Sequence, residues 1–235
     1  MSVALEVQSV VRARVAALAW LNVFTAAASG ESNPALTQTL SLEWHDAGVH
    51  LIGCDGTALF RSWVPAIPDD GGDPAEWPQL SEVPNRSIVI MDPDGFGKSF
   101  MSALLRVTND EDHQFEELTI TTSATDDDAT IALGAEFMTE RVTLRECGQR
   151  IDLKLYQGPY PDWRGARFGI DQAERVEGLT IAPRLMALVG KLKGAHAVDM
   201  EFYGDKKHVA FTARGDVEVR GLLMPMRRQD VPRED

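Results

Sequence analysis

Residues 88–107 read IVIMDPDGFGKSFMSALLRV, a short apolar strand followed directly by an amphipathic helix. The run at 88–91 is continuously apolar and rich in β-branched residues, which favours a buried strand. Pro93 and Asp94 are typical of a helix start. Apolar residues then recur at helical spacing: Phe96, Phe100, Leu104 and Val107. The stretch therefore predicts a strand that leads straight into a helix.

The same order occurs three times, each time followed by a run of alternating strands. The strands that precede the helices are expected at 3–7, 88–91 and 179–181. The helices are expected at 9–28, 95–109 and 182–194, with Pro183 as the first residue of the third helix and Gly194 as its end. The later strands are expected at 40–44, 49–54, 59–64, 118–122, 130–133, 142–145, 151–156, 198–202, 209–212 and 217–223. The sequence predicts an α+β fold of three βαβββ units, with a surface loop at 67–86 rich in Pro, Gly and Asp.

Composition excludes several classes of protein. The 235 residues are 44% apolar and 25% charged with a net charge of −13, which excludes a disordered chain, a collagen-like repeat and a disulfide scaffold. An acidic chain is also unlike proteins that coat nucleic acid with their whole surface. Cys54 and Cys147 match no metal-ligand spacing and are interpreted as reduced thiols. Residues 12–28 resemble a signal peptide, but Glu6 and Asn22 oppose that interpretation, so a cytoplasmic protein is expected.

The three predicted helical windows contain no Asp or Glu, although the rest of the chain is strongly acidic. Their basic residues are Arg12, Arg14, Lys98, Arg106, Arg184, Lys191 and Lys193. Helices usually carry charges of both signs, because acids favour the first turn and pair with lysines. One interpretation is that these helices attract phosphate while the acidic remainder repels it. The other is that Ala-rich helices lack acids by composition alone.

Motifs for catalysis or cofactor binding are incomplete. Gly95–Ser99 resembles the end of a phosphate-binding loop, but Asp92 stands where that motif requires glycine. We interpret this stretch as a helix start that Asp94 caps. The five histidines show no ligand spacing, and Asp126–Asp128 is interpreted as an acidic turn. The sequence therefore predicts a protein that is not an enzyme and has no cofactor or metal.

Three stretches carry a family resemblance. They are residues 52–59 (IGCDGTAL), residues 158–164 (GPYPDWR) and residues 222–227 (LLMPMR). In this order they resemble the bacterial sliding clamp, the β subunit of DNA polymerase III. The resemblance covers roughly residues 1–228. It implies a DNA-clamp fold in which paired βαβββ halves form domains and six domains close into a ring, with helices on the inner face and antiparallel sheets outside.

The resemblance also implies two binding surfaces. The basic residues of the helical windows would contact the phosphates of duplex DNA without reading bases. The three motifs would form a pocket for linear peptides of a DNA polymerase, a clamp loader or a repair enzyme. Carried over by position, the peptide-binding residues are Cys54, Gly56, Thr57, Ala58, Leu59, Pro161, Gly165, Ala166, Leu222, Met224, Pro225, Met226 and Arg227. The family's His-Arg after the Asp-Gly pair is Thr57-Ala58 here, and its second linker arginine is Gly165, so partner peptides are expected to differ.

The length of the chain is compatible with more than one oligomeric assembly. Residues 1–165 are expected to form a complete domain of two halves, and residues 166–235 a shorter domain or a half-domain. A divergent two-domain subunit would form a trimer, whereas one and a half domains would require self-pairing of the half-domain, in a dimer or a tetrameric ring. The compact acidic chain suggests a phage- or mobile-element-encoded member. The leading hypothesis is a homo-oligomeric processivity factor that encircles DNA; the alternative is a clamp-like interaction protein that binds or competes for the same peptides without encircling DNA.

Overall fold

The computed structural model of the chain describes residues 5–27, 36, 38–68, 72–79, 81–92, 94–109, 116–124, 129–134, 153–156, 158–164, 181–202 and 208–224. Several predicted features lie outside these residues. They are the strands at 142–145 and 179–180, the acidic turn Asp126–Asp128, and the residues Cys147, Gly165, Ala166, Pro225, Met226 and Arg227.

The described chain shows a strand, a helix and a run of strands twice, as predicted, and then a third helix followed by a run of strands. The elements are β1 (Leu5–Arg12), α1 (Ala13–Ala27), β2 (Thr39–His45), β3 (Gly48–Cys54), β4 (Ala58–Pro65), β5 (Arg86–Met91), α2 (Phe96–Val107), β6 (Glu117–Ala124), β7 (Ala129–Gly134), β8 (Lys154–Leu155), α3 (Pro183–Val189), β9 (Ala195–Phe202), β10 (Val209–Gly215) and β11 (Val219–Leu223). None of the helices within the described ranges is long and apolar enough to cross a membrane.

The strands form two antiparallel sheets. The smaller has the order β1-β6-β7, and the larger has the order β8-β5-β2-β3-β4-β11-β10-β9. The strand before α1 pairs with β6, which follows α2, and the strand before α2 pairs with β2, which follows α1. The first two units therefore exchange their leading strands. The third unit continues the large sheet through the pairing of β11 with β4.

All three helices pack on one face of the large sheet, and alternation along the strands explains why. Leu40, Leu42 and Trp44 of β2 share a core with α1 and α2. Further along the sheet, Phe60 and Phe211 share a second core with α3. The residues between these positions point to the opposite, outer face. The predicted α+β class, with helices on one side and sheets on the other, is confirmed.

The helix α1 is buried on almost its whole circumference. Twelve of its 15 residues are buried, because the helix lies between α2, α3 and the large sheet. Trp20 and Val23 belong to the core shared with α2, while Leu18 and Ala26 belong to the core shared with α3. Burial excludes unpaired charges. The absence of acids in α1 therefore follows from packing.

Two predicted helix ends are also wrong, the start of the first helix and the end of the third. Residues 9–12 belong to β1, where Arg12 lies opposite Glu117 of β6. The helix α3 begins at Pro183 as predicted, but it ends at Val189 rather than at Gly194. Gly194 instead occupies the turn before β9, with a φ of 67°.

The start of α2 is capped by a different aspartate from the one predicted. The carboxylate of Asp92 accepts hydrogen bonds from the backbone N–H groups of Gly97 (3.1 Å) and Lys98 (2.9 Å). Asp94 lies exposed in the turn. The residue that breaks the phosphate-loop motif therefore has a structural role, because it satisfies donors at the helix N-terminus.

Candidate functional site

A groove of about 550 Å³ opens on the helical side of the large sheet. Segments from all three helices line it, together with the turn after α3 and the turn between β3 and β4. Its floor is apolar, and four exposed basic residues stand around it: Lys98, Arg184, Lys191 and Lys193. Lys98 comes from α2, and the other three come from α3 and the turn after it, so the fold brings four of the seven predicted DNA-binding residues to one surface.

Packing beneath the groove positions these cations. The ammonium group of Lys98 lies 5.8 Å from the ring centre of Phe24, a cation–π contact that directs it across α1. The Asn22 side chain accepts a hydrogen bond from the Lys193 N–H (2.7 Å) and donates one to the Lys193 carbonyl (3.0 Å). This pair fixes the turn after α3 against α1. The sequence did not lead us to assign a role to Asn22, although a single amide inside an apolar helix indicates a specific hydrogen-bond partner.

The other three predicted DNA-binding residues do not line the groove. Arg12 is part of β1. Arg14 forms an ion pair with Asp216 at 2.8 Å and donates a hydrogen bond to the Asn109 side chain, which links the start of α1 to α2 and to the loop before β11. Arg106 is exposed in the last turn of α2. The charge of Arg14 is thus partly neutralised within the chain.

The turn between β3 and β4 brings two of the family-like motifs together. Asp55 Oδ1 accepts hydrogen bonds from the Thr57 N–H (2.8 Å), the Thr57 hydroxyl (2.9 Å) and the Ala58 N–H (2.8 Å). Gly56 has a φ of 93°, a backbone conformation that favours glycine. The Thr57 carbonyl accepts a hydrogen bond from the N–H of Met224 (2.8 Å), directly after β11.

The remaining motif, residues 158–164, packs beside this turn on the outer face of the sheet. Leu59 lies opposite Leu222 in the β4–β11 pairing. A small apolar cluster surrounds this pair: Ile52, Cys54, Leu59, Trp163, Ala210 and Leu222, with Tyr160 packed against it. The Tyr160 hydroxyl donates a hydrogen bond to the Ile52 carbonyl at 3.1 Å.

The border of this apolar cluster is open to solvent. Met224 is 52% exposed, and Pro161 is partly exposed. The cluster thus forms a buried apolar base with an exposed methionine at its edge, which is suitable for apolar side chains of a peptide. Five of the predicted peptide-binding residues, Gly165, Ala166, Pro225, Met226 and Arg227, lie outside the described part of the chain.

Burial also sets the chemistry of two polar groups in the apolar cluster. The pKa of the Cys54 thiol is raised to about 11, mainly by burial; a hydrogen bond from the Gly56 N–H opposes the rise and the nearby Asp55 carboxylate adds to it. Burial likewise raises the pKa of Tyr160. Both groups stay protonated near neutral pH, so they act as neutral packing residues.

Glu43 anchors the segment 158–164 over the sheet. Its buried carboxylate accepts hydrogen bonds from Trp163 Nε1 (3.0 Å) and from both terminal nitrogens of Arg164 (2.8 and 2.5 Å). The Arg164 guanidinium also stacks 4.6 Å from the Trp163 ring centre. Sequence reasoning missed Glu43, although an acid in the middle of a buried strand was a signal of a buried ion pair.

The structure also brings two histidines to this carboxylate, contrary to the expectation of scattered histidines. Potential ligand atoms of Glu43, His45 and His50 lie within 4.8 Å of one another. However, Arg164 already neutralises Glu43, and the charges of Arg61, Arg164 and Arg220 act on His50. Nearby positive charges oppose a bound cation. The donor set therefore fits an internal ion pair better than a metal.

Comparisons with known proteins identify the fold. No protein-family profile matches the chain, and no curated protein is similar to it in sequence. Among solved structures, the DnaN sliding clamp (DNA polymerase III subunit beta) of Pseudomonas aeruginosa bound to griselimycin matches with a TM-score of 0.54 and 11% identity, over 94% of this chain and 65% of that one. The DNA polymerase sliding clamp of Caulobacter crescentus matches with a TM-score of 0.51 and 12% identity, over 97% and 69%.

Another crystal structure, of the DNA polymerase III subunit beta from Pseudomonas aeruginosa, gives similar values. Its TM-score is 0.53 and its identity is 12%, over 94% of this chain and 66% of that one. The chain thus spans about two thirds of the length of the clamps that it matches. The chain has the sliding-clamp fold, and the resemblance carried by the three motifs is confirmed at the level of the fold.

Proposed function

We propose that this chain is a subunit of a DNA sliding clamp, a replication processivity factor that encircles duplex DNA and tethers a DNA polymerase. The observation that carries the proposal is the groove, where Lys98, Arg184, Lys191 and Lys193 converge on the helical side of an otherwise acidic protein. Four cations on an apolar floor would contact phosphates and leave the base edges unread. The surrounding negative charge would keep DNA away from other surfaces.

The apolar cluster on the opposite face of the sheet is proposed as the tether. A linear peptide would place apolar side chains against Leu59 and Leu222, beside the exposed Met224. Peptides recognised in this way bind through a few apolar anchors. Under this proposal the partners are a DNA polymerase and a clamp loader, the subunits form a homo-oligomeric ring, and neither catalysis nor a cofactor is required.

We also propose that residues 1–165 form a complete clamp-like domain and that residues 166–235 form a shorter domain or a half-domain. The described residues contain three helices, one for each βαβββ unit. This number supports one and a half clamp domains rather than two. We also propose that the protein is cytoplasmic and phage-encoded.

A second function is supported by one observation. The apolar cluster is built within a single chain and does not need a closed ring, because Leu59 and Leu222 pair inside the large sheet. A clamp-like interaction protein could therefore bind partner peptides without encircling DNA. The two functions differ in DNA binding, which the second does not require.

The salt dependence of DNA binding tests the proposed phosphate contacts. We expect Lys191→Gln to reduce the slope of log affinity against log salt by about 0.9 for a short duplex, because one phosphate contact is lost. Affinity should be measured by fluorescence anisotropy over a series of salt concentrations.

The matched control is Arg214→Gln, which removes one positive charge from an exposed side chain on the outer face. Arg214 pairs with Asp199 at 2.8 Å and does not line the groove. We expect its slope to equal that of the unmodified protein. Equal slopes for both variants would contradict the assignment of the groove to DNA.

A further inference from the structure

Two arginines lie opposite each other on the outer face of the large sheet, directly beside the apolar cluster. Arg61 of β4 pairs with Arg220 of β11, two positions along the strands from the pair of Leu59 and Leu222. Residues two positions apart on a strand point to the same face and lie about 6.5 Å apart, so the arginines share the face of the leucines. The Arg61 guanidinium also lies 5.9 Å from the ring centre of Trp163, a member of the apolar cluster.

The loop before β5 lies over this part of the sheet and places Trp77 against both arginines. The Trp63 side chain donates a hydrogen bond from Nε1 to the Ala75 carbonyl (3.0 Å), which fixes the loop. The guanidinium of Arg220 lies 4.4 Å from the ring centre of Trp77, and that of Arg61 lies 5.2 Å from it. A guanidinium stacked on an aromatic ring keeps the N–H groups at its edge directed toward an acceptor in its own plane.

The two guanidiniums share one carboxylate among the described residues. Arg220 Nε donates a hydrogen bond to Glu218 at 2.6 Å, and the same carboxylate acts on Arg61. The pKa of Arg61 is lowered to about 10, mainly by burial and then by the charge of Arg220, while Glu218 opposes the fall. Like charges directly opposite each other on paired strands are destabilising. A net positive charge therefore lies beside the apolar cluster, where a further anion would be stabilised.

Arg220 is the accessible member of the pair. Arg61 is buried, whereas the side chain of Arg220 is 37% exposed. Within the described part of the chain, the terminal nitrogens of Arg220 donate no hydrogen bond, because its contacts there are with Glu218 through Nε and with the Trp77 ring. A carboxylate that arrives from solvent can thus reach the outer edge of a guanidinium that is already held in place.

We propose that Arg220, supported by Trp77 and Arg61, selects an acidic side chain in the peptide that the apolar cluster binds. The inference rests on the proposed tether and adds one feature of its partner, an Asp or Glu two positions from an apolar anchor. In an extended peptide such side chains point the same way about 6.5 Å apart, which matches the spacing of Leu222 and Arg220 along β11. The peptide carboxylate would accept charge-assisted hydrogen bonds from Arg220. All three residues lie outside the family-like motifs, so this selectivity belongs to this chain.

Two probe peptides test the proposal on the full chain. Gly-Asp-Ser-Leu-Phe-Ser-Asp-Gly and Gly-Asn-Ser-Leu-Phe-Ser-Asn-Gly share their apolar anchors and differ only in charge, two positions to either side. We expect the acidic peptide, labelled with fluorescein, to bind about fivefold more tightly in fluorescence anisotropy. The preference should decrease as the salt concentration rises. The net charge of −13 would by itself repel the acidic peptide, so this preference requires a local positive site.

The variant Arg220→Gln should reduce the ratio of the two affinities to about one, because the amide carries no charge. The matched control is Arg214→Gln, which removes another outer-face charge, one that pairs with Asp199, and should keep the full preference. Circular dichroism should be unchanged in both variants. A preference that survives Arg220→Gln, or that falls equally in both variants, would overturn the assignment. Loss of both peptides from Arg220→Gln would also overturn it, since Arg220 would then support the cluster and not read the acid.

The outcomes separate this inference from the proposed function. Met224 is exposed at the edge of the apolar cluster, so Met224→Asp should weaken the binding of both peptides. Equal affinities of the unmodified protein for the two peptides, both weakened by Met224→Asp, would overturn the acid selectivity and leave the tether intact. Absence of binding by either peptide would overturn the tether, and the inference with it.

Discussion

His50 is enclosed by the rings of three tryptophans on the outer face of the sheet. Its ring centre lies 5.0 Å from that of Trp163, 5.5 Å from that of Trp77 and 6.3 Å from that of Trp63. Burial lowers the pKa of His50 well below 6.5, and the positive charges of Arg61, Arg164 and Arg220 lower it further. His50 is therefore neutral in the folded protein under conditions in which an unfolded chain would be protonated.

This difference predicts a loss of stability in mild acid. Below pH 6.5 the unfolded chain takes up a proton at His50 that the folded protein does not. The free energy of unfolding should then fall with decreasing pH by up to about 1.4 kcal/mol per pH unit from this one residue. Urea unfolding at about pH 7.5 and about pH 5.5 should show a smaller pH dependence for His50→Gln than for the unmodified protein. His196→Gln, on an exposed side chain, should keep the original dependence, and an unchanged dependence in His50→Gln would contradict the assignment.

At the scale of elements, the start of α2 offers a test with a matched pair of acids. Asp92 is buried and caps the helix, whereas Asp94 is exposed two residues later. Asp92→Ala should lower the free energy of unfolding by about 0.5–2 kcal/mol, because two backbone N–H groups lose their acceptor. Asp94→Ala should change it by less than about 0.5 kcal/mol. Urea denaturation measures both, and a larger effect at Asp94 would show that the cap is misassigned.

Elements with a strong local signal were predictable from the sequence. The strands β2, β3 and β4 lie within one residue of the predicted ends, because alternating apolar residues and Asp-Gly or Ala-Gly turns define them. The start of α1 was not predictable in the same way. Residues 9–12 remain extended because β6, more than 100 positions later, supplies their backbone partners, and no local pattern contains that contact.

The candidate site also has parts that local sequence signals predict and parts that depend on tertiary contacts. The ordered motifs predicted that Thr57, Leu59 and Met224 meet, and the pairing of β4 with β11 brings them together. The lining of the groove could be predicted only in part. Residue type does not reveal that Arg14 forms an ion pair with Asp216 or that α1 is buried. Asn22 and Glu43 needed the tertiary structure to identify their partners.

At the scale of the whole molecule, the two candidate surfaces lie on opposite faces of one continuous sheet. The basic groove is on the helical face and the apolar cluster is on the outer face. A protein arranged in this way could hold DNA on one side and a partner on the other without the two ligands competing.

The most direct test of the central claim is topological retention on DNA. Dissociated subunits are mixed with nicked circular plasmid in low salt and concentrated, and the DNA is then isolated by gel filtration in high salt, which removes phosphate-bound protein. The account predicts that the protein stays with the circular plasmid and is lost when the same plasmid is cut once before filtration. Equal release from circular and linear DNA would contradict encirclement.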